Sequence, residues 1–287
     1  MHFTEAKGIL SNKNGINIYR GCSHGCIYCD SRSLCYNMSH AFEDIEVKIN
    51  APELLEKALH SKRKRCMIGT GAMGDPYIPL ESELKLTKQC LELIDSYQFG
   101  ATVQTKSDLI MRDIDLFASI NEHSKAVVQM TMTTFEDKLC SIIEPGVCAT
   151  SRRYEVLTEM KKRNIPTIVW LSPFLPYIND TEENLTGLLG YCSEAGVKGI
   201  ICFGIGLTLR EGNREYFYAA LDRHFPGMSE RYRREFGNSY IVESENNSKL
   251  MRKLDDFCER YDIMQNNKCF DYLSELPEKY EQMSFFE

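Results

Sequence analysis

The chain has 287 residues, of which 43% are hydrophobic and 26% charged, and its formal net charge is −7. These values are typical of a globular protein with a sizeable core, and they exclude nucleic-acid binding through overall basicity. No run reaches the roughly 18 apolar residues that cross a membrane.

The cysteine content and the N-terminus bear on the compartment. Twelve cysteines occur in a chain whose start, MHFTEAKGIL, lacks the basic and apolar regions of a signal peptide. Without export, so many thiols favour a reducing compartment over a disulfide framework. We therefore expect a cytoplasmic protein that makes no membrane contact.

Short apolar runs alternate with helical patterns through the first two thirds of the chain. Strands are predicted at 16–19, 66–71, 100–105, 126–132, 167–171 and 198–205. Helices are predicted at 52–63, 81–97, 113–120, 151–164 and 181–195. This order is typical of parallel β-α-β units, which form a barrel or a doubly wound sheet. After about residue 210 the pattern predicts helices and no further strand.

The first predicted strand leads into "GCSHGCIYCDSRS", residues 21–33, which we call the cysteine loop. It carries Cys22, Cys26 and Cys29 in a C-x3-C-x2-C pattern. A structural zinc site needs a fourth ligand. Three residues could supply it: His24, Cys35 and His40. The alternative is a [4Fe–4S] cluster with one iron left open for a substrate or cofactor.

A second glycine-rich stretch, "GTGAMG" at residues 69–74, matches the dinucleotide-binding pattern G-x-G-x-x-G. That site needs a helix that begins at the last glycine, so that the helix N-terminus meets the pyrophosphate. Here Pro76 and Pro79 follow, and the next predicted helix begins near Glu81. The stretch therefore disfavours dinucleotide binding.

The cysteine spacing after the first strand, with Tyr28 just before the third cysteine, resembles the radical S-adenosylmethionine (SAM) superfamily. The resemblance implies an α/β fold, a partial (β/α)6 TIM-type barrel over residues 1–212. It implies a [4Fe–4S] cluster on the three cysteines and SAM on the open iron. Reductive cleavage of SAM would give a 5′-deoxyadenosyl radical that abstracts hydrogen from substrate. An electron donor such as flavodoxin or ferredoxin is implied as a partner.

Further motifs resemble the spore photoproduct lyase-like branch, which is described broadly as DNA repair photolyase-like. They include "GDPYIPLE" (74–81), "TKSDLIMRDIDLF" (105–117) and "SPFLPYIND" (172–180). The resemblance implies SAM contacts at Tyr28, Gly74, Asp75, Lys106, Thr131 and Arg153. Gly74 and Asp75 would lie near the amine, Lys106 and Arg153 at the carboxylate, and Thr131 at the ribose. Where that branch has a hydrogen-donating cysteine, this chain has Ala72.

The C-terminal part, residues 213–287, is predicted as a helical extension. Its last residues, "EQMSFFE", resemble the peptide by which bacterial repair proteins dock on the DNA sliding clamp, through Gln282, Met283, Phe285 and Phe286. The alternative is that the two phenylalanines fold back onto the protein's own core. Basic runs at 61–65, 161–163 and 231–235 are either solvated surface or local nucleic-acid contacts.

Taken together, the resemblances imply a radical SAM enzyme that abstracts hydrogen, with nucleic acid as the expected substrate and DNA repair or modification as the setting. A peptide or small-molecule substrate is the first alternative, since one barrel serves many chemistries. A non-enzymatic metal or nucleic-acid binding module is the second.

Overall fold

The structure, a computed structural model, describes residues 1–277. Among these residues, no helix has the length and apolar character needed to cross a bilayer. The strands are β1 His2–Thr4, β2 Tyr19–Arg20, β3 Glu46–Lys48, β4 Met67–Thr70, β5 Gly100–Thr105, β6 Ala126–Thr131, β7 Thr167–Trp170, β8 Gly199–Ile201, β9 Gly206–Thr208, β10 Ile241–Glu243 and β11 Met264–Gln265. The helices are α1 Ala51–Ser61, α2 Glu81–Leu84, α3 Leu86–Ser96, α4 Ile114–His123, α5 Asp137–Ile143, α6 Thr150–Lys162, α7 Glu182–Ala195, α8 Asn213–His224, α9 Met228–Phe236, α10 Asn247–Arg260 and α11 Asn267–Ser274.

A six-stranded parallel sheet forms the centre of the molecule. Its strands run in the order β11-β8-β7-β6-β5-β4, and each neighbouring pair is parallel. Five of its strands match predicted ones, and helices connect them as predicted. Within the described residues β4 and β11 are the two ends of this sheet, so it forms an open, partial barrel arrangement. The predicted α/β class is confirmed.

The first predicted strand, 16–19, is divided between two sheets. Its start lies beside β4, where the Ile16 amide donates to the Gly69 carbonyl at 2.7 Å. Its end, β2, instead pairs antiparallel with β3 in a small sheet of order β1-β3-β2. The chain therefore leaves the edge of the central sheet just before the cysteine loop begins.

The predicted helix 81–97 is broken in two at Lys85, whose φ of 55° is left-handed. The carboxylate of buried Glu81 accepts hydrogen bonds from the amides of Thr87 and Lys88, at 3.0 and 3.2 Å. These amides are in the first turn of α3, where backbone donors lack helical partners. Glu81 thus caps the second helix from within the first, an arrangement that helical periodicity does not report.

The C-terminal extension is mainly helical, as predicted, but it also supplies two strands that the sequence did not predict. β10 pairs antiparallel with β9, and β11 pairs with β8 at one end of the central sheet. Both are short, two or three residues, so they lack the alternating pattern that marks a strand. That residues 1–212 and 213–287 are separate domains stays a prediction. The proposed clamp-docking residues lie outside the described part of the chain.

A second apolar core joins the cysteine loop to the extension. Ile27 and Tyr28 of the loop pack in one cluster with Phe217 and Leu221 of α8 and Tyr232 of α9. The last three are less than 1% exposed, and burying one such aliphatic or Phe side chain contributes about 1.5–3 kcal/mol. The extension therefore supports the loop that carries the three thiols.

Lys125 fastens the end of α11 to the central sheet, and its removal gives the first prediction. Its ammonium donates to the carbonyls of Tyr272 and Glu275, the latter at 2.8 Å, and lies 3.6 Å from the centre of the Tyr272 ring. We expect Lys125→Met to lower the free energy of unfolding by about 1–3 kcal/mol, because two carbonyls lose a charged donor. Urea unfolding measures the change, with exposed Lys268→Met as the control.

The pH dependence of this variant provides its own check. Burial lowers the pKa of Lys125 to about 8, although Glu275 opposes the shift. In the unfolded chain the Lys125 side chain keeps its proton to higher pH. The unfolded state therefore binds more protons than the folded state between about pH 8 and 10. Wild type should therefore gain stability relative to Lys125→Met as the pH rises through this interval. If the difference in unfolding free energy between wild type and Lys125→Met does not change with pH, the buried position of the ammonium is contradicted.

Candidate functional site

The cysteine loop lies at the carboxyl ends of the parallel strands and is held by backbone hydrogen bonds from two directions. The Cys22 amide donates to the Phe42 carbonyl at 3.1 Å. The Ile27 amide donates to the carbonyl of Ile143, the last residue of α5, at 2.9 Å. In folds of this type, ligands bind at this edge of the sheet. The fold thus presents the loop where a cofactor would bind.

The three predicted metal ligands line one cavity of about 130 Å³, which we call the inner cavity. In the described part of the chain, three potential ligand atoms lie within 4.8 Å of one another only at His2, His40 and Asp44. The three thiols are therefore spread more widely than sulfurs on a single zinc ion, which at 2.3 Å bonds would be about 3.8 Å apart. This donor set fits a polynuclear cluster.

In this structure, burial favours the protonated form of two of the three thiols. Burial raises the pKa of Cys22 to about 12, with Asp75 adding to the shift. Burial also raises the pKa of Cys26 well above its usual value. Buried thiolates need a positive partner, and a coordinated metal provides one by deprotonating the thiol outright.

Asp75 connects the loop after β4 with the end of β5. One carboxylate oxygen accepts from the Thr105 hydroxyl at 2.7 Å, and the other from the Lys106 amide at 2.8 Å. The second oxygen also lies 3.5 Å from Nδ1 of buried His24. Asp75 therefore shapes the inner cavity wall through fixed bonds, and the adjacent Gly74 lines the same cavity.

Tyr28 is positioned by an ion pair buried behind it. Its hydroxyl donates to Glu144, and that carboxylate pairs with the Arg153 guanidinium at 2.6 Å. Glu144 and Arg153 are both fully buried. Arg153 also donates to the carbonyls of Thr131 and Cys148. Arg153, unlike the other predicted SAM contacts, does not line the inner cavity.

Lys106 and Thr131 line the inner cavity with unused hydrogen-bonding capacity. Among the described residues no carboxylate lies within the 4 Å of an ion pair with the Lys106 ammonium, although, against the lowering effect of burial, Glu144 and Asp75 help to raise its pKa from farther away. The ammonium lies 5.9 Å from the centre of the Tyr28 ring. The Thr131 hydroxyl is buried without a hydrogen-bond partner. A buried hydroxyl left unpaired is costly, so a bound group that reaches Thr131 would relieve that cost.

A larger cavity of about 520 Å³, the outer cavity, adjoins the inner one, and residues common to both walls include Tyr28, Cys29 and Lys106. Ala72 and Met73 also line both, so the position that carries the lyase branch's cysteine does face the cavities. Of the described residues that line the outer cavity, Cys29 alone is a cysteine. The volume is within the range of small-molecule sites.

The structure separates the other candidate ligands and motifs. His24 lines the inner cavity, whereas Cys35 and His40 do not. After β4 the backbone turns at Gly71, where φ is 101° and a Cβ would lie 2.1 Å from the Gln104 carbonyl oxygen. The next helix begins at Glu81, seven residues after the last glycine of the dinucleotide-like pattern. This spacing agrees with the expectation against dinucleotide binding.

Glu144 is a residue of this site that is not among the predicted contacts. Its carboxylate accepts a hydrogen bond from the hydroxyl of Tyr28, which is 116 positions away in the chain. The sequence holds no periodic signal for such a contact. The sequence offers one clue: Glu144 is an acidic residue at the otherwise apolar end of a helix, in "SIIEPG".

Gly146 touches the cysteine loop so closely that a methyl group should displace the loop. Its amide donates to the His24 carbonyl at 2.8 Å, and a Cβ would lie 2.6 Å from that oxygen. We expect Gly146→Ala to lower the iron bound after anaerobic reconstitution by half or more. Gly190→Ala is the control, because nothing lies within 4 Å of a Cβ there. Equal iron in both variants would contradict the prediction.

Comparison with known proteins decides the family. The family model for the radical SAM superfamily matches residues 16–189 of this chain. The chain belongs to the radical SAM superfamily. Members of this superfamily use SAM and an iron–sulfur cluster, and they require a reductant. The matched segment contains the three thiols and all the other predicted cofactor contacts of this radical SAM protein.

Curated relatives share the sequence over much of its length. An uncharacterized protein of Mycobacterium tuberculosis is 29% identical over 224 residues, which cover 76% of this chain and 65% of that protein. The chain thus spans less than two thirds of that relative's length. An uncharacterized protein of Methanocaldococcus jannaschii is 35% identical over 169 residues, 58% of this chain and 62% of that one.

Solved structures share the fold. A spore photoproduct lyase variant with bound AdoMet and dinucleoside spore photoproduct aligns with a TM-score of 0.61 and 12% identity, over 86% of this chain and 73% of that chain. SuiB of Streptococcus suis bound to S-adenosylmethionine aligns with a TM-score of 0.52 and 10% identity, over 88% of this chain and 48% of that chain. At such identities the likeness concerns the fold alone.

Proposed function

We propose that this radical SAM protein binds a [4Fe–4S] cluster through Cys22, Cys26 and Cys29 and cleaves SAM reductively to abstract hydrogen from a nucleic-acid substrate. The observation that carries the proposal is the common inner cavity of the three thiols, which shares wall residues with a second cavity of about 520 Å³. A flavodoxin or ferredoxin would supply the electron.

The residues around the inner cavity would orient SAM. Lys106 offers a cation without a protein carboxylate partner, which suits the SAM carboxylate. The unpaired Thr131 hydroxyl suits a ribose hydroxyl. Tyr28, fixed by Glu144, would pack beside the cofactor, with Gly74 and Asp75 near the methionine amine. Arg153 then acts through Glu144 and Tyr28, as a positioning residue.

When bound through the three thiols, the cluster would supply one electron to SAM, which would break a carbon–sulfur bond and give methionine and a 5′-deoxyadenosyl radical. The protein's part is to orient the substrate C–H bond and to exclude side reactions. Hydrogen abstraction leaves 5′-deoxyadenosine and a substrate radical. Ala72 has no thiol hydrogen to donate to that radical, so the reaction would end differently from one that uses a cysteine at that position.

The outer cavity has features that suit a nucleotide. Phe203 lines it, is 64% exposed, and stacks on Phe270 with ring centres 6.0 Å apart and planes within 7°. A solvated, flat aromatic surface of this kind stacks nucleic-acid bases. Nearby, the Arg210 guanidinium lies against the rings of Tyr36 and Tyr240. This cation also pairs with Asp30 at 3.3 Å, and it would exchange that carboxylate for a backbone phosphate.

The test of the reaction is 5′-deoxyadenosine formation. Protein reconstituted anaerobically with iron and sulfide, then reduced with dithionite and given SAM, should release 5′-deoxyadenosine detectable by chromatography. Cys26→Ala should bind less iron and release none, whereas Cys35→Ala, which lies outside the inner cavity, should behave as wild type. Tightly held zinc in place of iron, with no product, would favour the binding-module alternative and sink the proposal.

The test of the substrate class is a comparison of ligands in the same assay. Single-stranded and ultraviolet-damaged oligonucleotides should raise 5′-deoxyadenosine formation, and their binding should weaken as salt rises. Phe203→Ala should weaken oligonucleotide binding roughly 5–150-fold, the range of about 1–3 kcal/mol for one stacked base. If 5′-deoxyadenosine forms at the same rate with and without every oligonucleotide, the proposed radical chemistry stands and the proposed nucleic-acid substrate is rejected.

A further inference from the structure

A second cluster of potential metal ligands lies away from the cysteine loop, at the small sheet of β1, β3 and β2. His2, His40 and Asp44 each offer one ligand atom, and these atoms all lie within 4.8 Å of one another. The two imidazole rings meet edge to face, with centres 4.7 Å apart. Two imidazoles and a carboxylate are a common donor set for zinc and other first-row divalent metals.

His40 is prepared to act as a ligand. Its Nδ1 lies 3.0 Å from the Ala41 carbonyl, which can only accept, so Nδ1 carries the proton. In the neutral ring Nε2 then holds a lone pair. That nitrogen is buried, forms no hydrogen bond, and lies 3.5 Å from a carboxylate oxygen of Glu46. An imidazole that donates its other N–H to a carbonyl is the usual arrangement for metal-bound histidine.

One pair of ligand atoms is already as close as two ligands of a single ion, and all three lie within 4.8 Å of one another. His2 Nδ1 lies 3.0 Å from an oxygen of Asp44, and the other oxygen of Asp44 pairs with the Met1 amino group. With bonds of about 2.0–2.1 Å, ligands around a tetrahedral ion lie about 3.3 Å apart. Nε2 of His40 faces the carboxylate of Glu46 at 3.5 Å. A divalent ion would satisfy both groups.

We infer that His2, His40 and Asp44, with Glu46 as the adjacent carboxylate, form a site for one zinc-type divalent ion that is separate from the cysteine loop. The site joins β1 to the segment before β3, since His2 lies opposite Glu46 in the strand register. That segment includes Phe42, which accepts a hydrogen bond from the Cys22 amide through its carbonyl and is one of the residues that line the inner cavity. The ion therefore stabilises one wall of that cavity.

The experiment is zinc binding to the full chain after anaerobic cluster reconstitution, by competition with a chromophoric chelator. We expect one zinc per chain, and X-ray absorption at the zinc edge should show nitrogen and oxygen at about 2.0–2.1 Å and no sulfur at about 2.3 Å. His40→Gln should weaken binding by about 100-fold or more, since loss of an outer partner alone costs about 10–100-fold. His60→Gln, on the exposed end of α1, is the control.

Asp44→Asn provides a second variant, which replaces His40→Gln if that protein fails to fold. Its zinc affinity should also be lower than that of wild type. Sulfur ligands at the zinc edge would place the ion in the cysteine loop and overturn the inference. Equal zinc affinity in His40→Gln and His60→Gln would also overturn the inference. So would the absence of bound zinc in wild type, because these residues would then form ion pairs alone. None of these results depends on radical chemistry, so this test and that of the proposed function fail independently.

Discussion

Replacing Glu144 by Gln should lower the free energy of unfolding by about 3–5 kcal/mol, because it leaves the Arg153 guanidinium buried without its counter-charge. The pair is fully buried, with nitrogen and oxygen 2.6 Å apart. Gln can still accept from the Tyr28 hydroxyl, so the substitution removes charge while it keeps the shape. Chemical denaturation of the cluster-free full chain under reducing conditions measures the loss.

Two comparisons identify the cause of this effect. Arg152→Met is the matched control, since the neighbouring Arg152 makes exposed pairs with Asp108 and Glu155 that contribute at most about 1 kcal/mol. In the double variant Glu144→Gln/Arg153→Met neither charge is left unpaired. Its loss should fall short of the sum of the single losses by about 0.5–3 kcal/mol. Additive losses would show that the two side chains act separately.

Acid should reduce the contribution of this pair. Burial alone would raise the pKa of Glu144, but Arg153, Lys106 and the Tyr28 hydrogen bond lower it further than burial raises it. A carboxylate with a depressed folded pKa stabilises the protein fully above its unfolded pKa. That stability is lost as the pH falls through the folded pKa. The difference between wild type and Glu144→Gln should therefore shrink below about pH 4.

The elements that the sequence predicted are those encoded by local pattern. Strands such as β5 and β6 are continuous apolar runs, and their order with the helices is typical of a parallel sheet. The cysteine spacing is equally local, and it identified the loop. In contrast, β11 is two residues long and exists because it pairs with β8, some 65 positions earlier in the chain. Such a strand has no pattern of its own.

The site residues divide in the same way. The cysteines and Lys106 lie just after strand ends, so their motif positions alone predict where they lie in the fold. In contrast, the contacts of Glu144 with Tyr28 and with Arg153 depend on how α5 and α6 pack against the cysteine loop. The two basic residues assigned to the SAM carboxylate therefore looked equivalent in sequence. The structure distinguishes them, because one is fully paired and the other is not.

That difference leads to opposite expectations for the two basic residues. Lys106→Met should leave the fold intact and weaken SAM binding by roughly 10–150-fold, the range for losing a charged hydrogen bond of about 1.5–3 kcal/mol. Arg153→Met should mainly destabilise the fold, because Arg153 bonds to Glu144 and to backbone carbonyls. SAM affinity of the reconstituted protein, measured by equilibrium dialysis, tests the first expectation.

Lys138→Met is the matched control for Lys106→Met, because Lys138 is an exposed lysine on α5. Lys106→Arg should recover part of the affinity, since it restores the charge at the inner cavity with a longer, planar head. If Lys106→Met binds SAM as tightly as Lys138→Met, the carboxylate lies elsewhere. Arg153→Met protein that is folded and iron-loaded could instead lose as much SAM affinity as Lys106→Met. That result would mean that the ion pair between Arg153 and Glu144 opens when SAM binds.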